Sequence, residues 1–207
     1  MRSRLLATCL CLVWAACGDD AVATDPGPLV DNTRWVPSDR GEEHFGTAPE
    51  DSECLLTPED CPEFPWPEGE CVTFAPDSTC IVSYVPECFD SFTVLAVYTR
   101  RPDNRIPLCN WLTLEQSSLR PIRAGDQVEV RAYHFELTAP VPGEARMSFV
   151  IGEDLVFDQT VLIPRQSQFL SDTWTATKDY PAGTPLLWHV ENHGTNEYLL
   201  IEVNVLE

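Results

Sequence analysis

An all-β fold, an antiparallel β-sandwich of jelly-roll type, is the class this sequence predicts. The first observation is alternation of apolar and polar residues with period two through residues 119–207, the pattern of strands that bury one face. The second is punctuation, because Gly, Pro, Asn and Asp clusters separate six or seven such runs. The third is the spread of Pro58, Pro62, Pro65, Pro67, Pro76 and Pro86 through the residues before them, which breaks any long helix. About ninety residues suffice for one sandwich core, and no internal repeat is visible.

Residues 1–16 read as a leader. Arg2 and Arg4 come first, the apolar run Leu5 to Ala16 follows, and the charge turns acidic at Asp19 and Asp20. The run is too short to cross a bilayer as a helix, and the order is that of an export signal. Trp14-Ala15-Ala16-Cys17 resembles the lipobox of bacterial lipoproteins, with Trp14 where that pattern prefers Leu. The resemblance implies that Cys17 becomes the lipidated first residue of the mature chain, with three acyl chains and firm anchoring. Ala21-Val22-Ala23 is a competing cleavage site, poorer because it lies beyond Asp19 and Asp20. No other apolar stretch is long enough to span. The expected location is the cell envelope, with a lipid anchor on the periplasmic or cell-surface side.

Composition narrows the partners. Thirteen Lys and Arg stand against 33 Asp and Glu, a net charge of −20. Such a chain repels nucleic acid and anionic head groups, so nucleic acid is not an expected partner. Residues 17–50 are rich in Asp, Glu, Gly, Pro and Thr without apolar period, and they predict a disordered acidic tether. Residues 51–207 are expected to form one domain, with a Cys-rich part over 51–115 and a Cys-free sandwich core over 119–207. Of nine cysteines, Cys9 and Cys11 are expected to leave with the leader, and the lipobox resemblance implies that Cys17 carries the lipid. Cys54, Cys61, Cys71, Cys80, Cys88 and Cys109 remain, an even number that reads as disulfides in an exported chain, with the pairing open. No C-x-x-C occurs, which removes support for zinc-ribbon and thioredoxin-type chemistry.

The strands follow in order. Val72–Phe74, Ile81–Val85 and Phe92–Tyr98 are candidates within the cysteine zone, and the last is dense in β-formers. Trp111 to Ser117 is a short strand or a helical turn. In Gln127–Leu137, Val128 and Val130 lie on one face and Tyr133, Phe135 and Leu137 on the other, which predicts a bulge near Ala132. Ala145, Met147, Phe149 and Ile151 alternate, and Gly152-Glu153-Asp154 turns the chain. Leu155, Phe157, Val161 and Ile163 share a face until Pro164 stops the strand. Phe169–Thr177 alternates with Ser, Thr and Asp. Leu186–Val190 is short and apolar, and Asn192–Asn196 is a turn. Leu199, Ile201, Val203 and Val205 finish on one face, against Glu202 and Asn204.

Two sets of side chains could carry chemistry. On a strand, His189, Glu191 and His193 point the same way, which would offer two nitrogens and an oxygen to zinc or copper. The turn at Asn192-His193-Gly194 works against that set by rotating His193 off the face. A blue-copper site would need a later cysteine, and none follows Cys109. The second set is aromatic: Trp111, Tyr133, Trp188 and Tyr198, with the amides of Asn192 and Asn196, are candidates for ligand contact. Acid-rich sandwiches with surface tryptophans are similar to carbohydrate-binding modules, and the likeness implies rings that stack on sugar faces. Trp188, among Leu186, Leu187 and Val190, and Trp174, in phase with Leu170 and Ala176, also suit a core. G-x-S-x-G, H-E-x-x-H, phosphate-loop and dinucleotide motifs are all missing, so no catalytic residue and no cofactor is expected. The expectation is a lipid-anchored interaction domain whose partner, besides the membrane, is a glycan or an envelope protein.

Overall fold

The computed structural model describes residues 26–47, 84–89, 92–99, 111–139, 141–194 and 196–206. The leader, Cys17, Cys54, Cys61, Cys71, Cys80, Cys109 and the candidate strand at 72–74 lie outside the described residues. In chain order the elements are β1 (Gly27–Pro28), β2 (Val36–Pro37), α1 (Gly41–Phe45), β3 (Tyr84–Phe89), β4 (Phe92–Thr99), β5 (Trp111–Ser117) and β6 (Gln127–His134). They continue with β7 (Gly143–Ile151), β8 (Asp154–Ile163), β9 (Gln168–Thr175), β10 (Pro185–Glu191) and β11 (Asn196–Val205).

Two antiparallel sheets face each other. The first runs β3-β4-β11-β6-β9, with β1 added beside β11, and the second runs β2-β5-β10-β7-β8. From β4 onward the chain changes sheet at every connection except the β7–β8 hairpin, which gives the jelly-roll character. The alternation that predicts strands is the alternation that fills the space between the sheets. Trp188, Tyr198, Phe149, Phe157, Leu114 and Met147 are all buried there. β10 is central, and its burial is continuous from Leu186 to Val190 because its outer face is covered as well. Trp111–Ser117 is a strand, not a helical turn, since β10 pairs with it along its whole length. Cys88 lies on β3 with its backbone opposite Thr93.

Residues 26–47 correct the predicted tether. Leu29, Val30 and Trp35 are buried in the core, and Trp35 meets Phe149 edge-on with ring centroids 6.2 Å apart. β1 pairs with β11 of the first sheet and β2 with β5 of the second, so this short segment holds both. Its anchors are single apolar residues at irregular spacing. No periodicity marks them, because the packing partners are remote in sequence.

Bulges account for three further differences. β6 keeps one phase throughout, with Val128, Val130, Ala132 and His134 all inward. The irregularity expected near Ala132 falls on its neighbour, where Ala132 pairs with Leu200 and Arg131 with Glu202, leaving Ile201 as an extra residue in β11. Leu199 and Ile201 therefore do not share a face with Val203 and Val205. Tyr198, Leu200, Val203 and Val205 point inward, while Leu199 and Ile201 pack with Val94, Ala96 and Tyr133 outside. In β8 the register shifts between Phe149 and Val150 of its partner, so Val156 is inserted and buried while Leu155 turns outward and is 45% exposed.

Candidate functional site

Strand parity gives each sheet an outer face, and the two differ in access. On the second sheet, register aligns Thr113, His189, Ser148 and Asp158 in one row and Trp111, Glu191 and Arg146 in the next. His189 is fully buried beneath α1. Its Nδ1 lies 2.8 Å from Thr113 Oγ1 and its Nε2 3.3 Å from Glu191 Oε1. A carboxylate only accepts, so Nε2–H donates to Glu191 and Nδ1 accepts from the threonine hydroxyl. Phe45 stacks on the imidazole at 4.0 Å and 10°, and Trp111 meets it edge-on at 4.6 Å. Burial pulls the His189 pKa below its ordinary value, and the hydrogen bond to Glu191 opposes the shift without cancelling it. Arg146 closes the cluster with two bonds to Asp158, 2.7 and 3.0 Å, and a contact to Glu191 at 3.3 Å. Burial pushes the Asp158 carboxyl up, but the hydrogen bonds from Arg146 and Ser148 carry it below its usual range.

This geometry corrects the metal set. His189 and Glu191 do meet, but both imidazole nitrogens are engaged. β10 ends at Glu191, and His193, exposed on the following turn, donates Nδ1–H to Glu144 O at 2.8 Å. Among the described residues no group of three His, Cys, Asp or Glu side chains is placed to hold a metal ion.

The amide and aromatic candidates also divide. Trp188 and Tyr198 are fully buried between the sheets and cannot stack on a ligand. Asn192 Oδ1 accepts from Tyr198 Oη and from Asn196 Nδ2 at 2.7 Å, while Asn196 Oδ1 accepts from Thr138 N at 2.6 Å. These amides stabilise the β10–β11 turn from inside. Trp111, 9% exposed, is closed in beside His189. Tyr133 alone of the predicted set stands on an open face.

That open face is the outer side of the first sheet. Register lines up Phe169 of β9, Tyr133 of β6, Leu199 of β11 and Ala96 of β4 in one row. Phe169 is 49% exposed and Phe135 43%, and Phe135 meets Tyr133 edge-on at 5.0 Å. The next row holds Arg131. Its guanidinium carbon sits 5.6 Å from the Phe169 ring centroid, its Nη1 donates to Glu202 Oε1, and its Nε lies 3.2 Å from Glu129 Oε2. Partial burial raises the Glu202 pKa, but the hydrogen bond from Arg131, with Asn204 assisting, brings it below the ordinary value. Beside this row the Ile201 bulge borders a groove of about 590 Å³, lined by Arg131, Ile201, Glu202, Asn204, Asn32 and Leu119 among others. Arg131 and Ile201 belong to both features, so rings and groove form one surface. Sequence reasoning left out Phe135, Phe169 and Arg131. The available signal was apolar residues on the outward phase of β6 and β9, such as Phe169 directly before inward Leu170.

No family model matches the chain, and no curated protein matches it. Among solved structures, it is similar to a structure of CBM4 (16% identity, 58% of this chain and 75% of that one, TM-score 0.35). It is also similar to CBM28, a carbohydrate-binding module specific for non-crystalline cellulose (11% identity, 62% and 84% covered, TM-score 0.40). A third likeness is to the N-terminal cellulose-binding domain of Cellulomonas fimi β-1,4-glucanase C (12% identity, 56% and 78% covered, TM-score 0.34). At these scores the likenesses carry no weight of their own.

Proposed function

We propose that this chain is a non-catalytic glycan-binding module whose ligand lies on the outer face of the first sheet. One observation carries the reading: half-exposed Phe169 and Phe135, with Tyr133 between them, form an aromatic surface that runs into a polar groove. Sugar rings present flat C–H faces that bury well on aromatic rings, and their hydroxyls need the polar neighbours found here. Among the described residues of the opposite face, Thr113, His189, Glu191, Arg146, Ser148 and Asp158 are paired with one another, and Phe45 of α1 covers the His189 ring. Affinity electrophoresis through gels containing soluble polysaccharides of several classes tests the reading. The wild type is retarded by at least one of them, and Phe169→Ala or Tyr133→Ala weakens that retardation by about tenfold, the cost of a lost stacking contact. Equal mobility in every gel defeats the proposal.

The proposal includes the setting. The chain is exported by the leader, anchored through Cys17 in the cell envelope, and braced by disulfides among Cys54, Cys61, Cys71, Cys80, Cys88 and Cys109. The support is the Arg-then-apolar order of residues 1–16 and the even cysteine count. Intact mass of protein extracted from membranes reads both features. A chain beginning at lipid-modified Cys17, gaining about six daltons on reduction, is expected. An unmodified chain beginning at Thr24, or no gain on reduction, contradicts the corresponding part.

A further inference from the structure

We infer that Glu129 and Glu202 are specificity-determining residues that make this face select neutral sugars and reject acidic ones. The inference rests on the glycan reading of the same face. Among the described residues of the rings and groove, Arg131 is the cation, and alone it would attract uronate or sulfate groups. It is held from both sides, by Glu202 through Nη1 and by Glu129 near Nε. Arg131 and its two partners sum to a charge of −1, within a chain of net charge −20. Asp31 on the groove wall adds another carboxylate, already bonded to Thr33 and paired with Arg34. An acidic sugar therefore meets carboxylates and a guanidinium whose charge is already answered. A neutral sugar meets acceptors, which match hydroxyl donors, beside rings that match its C–H face.

The arrangement conceals an anion site that two isosteric changes would uncover. Glu129→Gln with Glu202→Gln keeps side-chain shape and an acceptor oxygen for Arg131 but removes both charges. The experiment compares wild type, both single variants and the double variant in gels carrying neutral polysaccharides (glucan, mannan, xylan and galactan) or polygalacturonate, at low and high salt. Melting curves check that each variant is folded. The wild type is expected to bind a neutral polymer and not polygalacturonate. The double variant gains polygalacturonate binding by about tenfold or more, lost at high salt, with each single variant between. Addition of Arg131→Gln abolishes the gain. Wild-type binding to polygalacturonate as strong as to a neutral polymer overturns the inference, and so does a folded double variant with no gain. If the double variant does not fold, the single variants decide in the same way. Wild-type silence in every gel removes the glycan reading itself, a result distinct from neutral binding without a switch.

Discussion

His189 shows what strand parity reveals and what it hides. Alternation alone puts His189 and Glu191 on one side of β10, and their side chains do meet. It gives no hint that Phe45, 144 positions earlier, stacks on the imidazole. That contact depends on a five-residue helix whose Gly41 sits so close to Thr113 that an added Cβ would stand 2.0 Å from Oγ1. The buried ring has a pH consequence. Its folded pKa lies below 6.5, so the unfolded chain takes up a proton first as pH falls, and stability declines from about pH 6.5 downward. Asp158 and Glu191 have lowered pKa values as well, but their contributions are lost only below their ordinary values of 3.8 and 4.5. Urea unfolding at a series of pH values should show a decline between pH 6.5 and 4.5, limited to about 1.4 kcal/mol per pH unit for one proton. His189→Gln should flatten that segment. An identical slope in the variant would show that His189 does not titrate in this way.

β11 carries the irregularity on which the open face depends. Its alternation reads Leu199, Ile201, Val203 and Val205 as one face, and a single inserted residue divides them. Period counting does not show which of two paired strands carries the bulge when apolar residues line both faces of one of them, as Leu199 and Ile201 do outside and Val203 and Val205 inside. The sequence places it near Ala132, the correct level of the sheet but one strand away. Asn32 completes the element. Its Nδ2 lies 3.0, 3.2 and 3.0 Å from the carbonyls of Thr93, Leu200 and Ile201, and its Oδ1 accepts from Trp35 Nε1 at 3.0 Å. The amide spans the part of the β11 edge between the residues paired with β4 and those paired with β1. Asn32→Leu strands several buried polar atoms and should cost roughly 2–3 kcal/mol, read as a lower denaturant midpoint with unchanged slope. A loss below about 0.5 kcal/mol would mean that water replaces the amide without penalty.

At the scale of the molecule, the sandwich is legible because its strands carry their own periodicity. The clasp of residues 26–47 over both sheets is not, because it is written in isolated residues such as Trp35 and Asn32. The same limit applies to function. Counting aromatics leads to Trp188 and Tyr198, which the core needs, and only the assembled sheets show that, among the described residues, the rings of Phe135 and Phe169 are about half exposed. Titration of isotope-labelled protein with an oligosaccharide of whichever polymer retards it, followed by amide chemical shifts, tests the central claim most directly. The predicted perturbations cluster at Arg131, Tyr133, Phe135, Phe169 and Ile201. A cluster at Trp111, His189 and Arg146 on the other sheet, or no perturbation at saturating oligosaccharide, would contradict the assignment of the binding face.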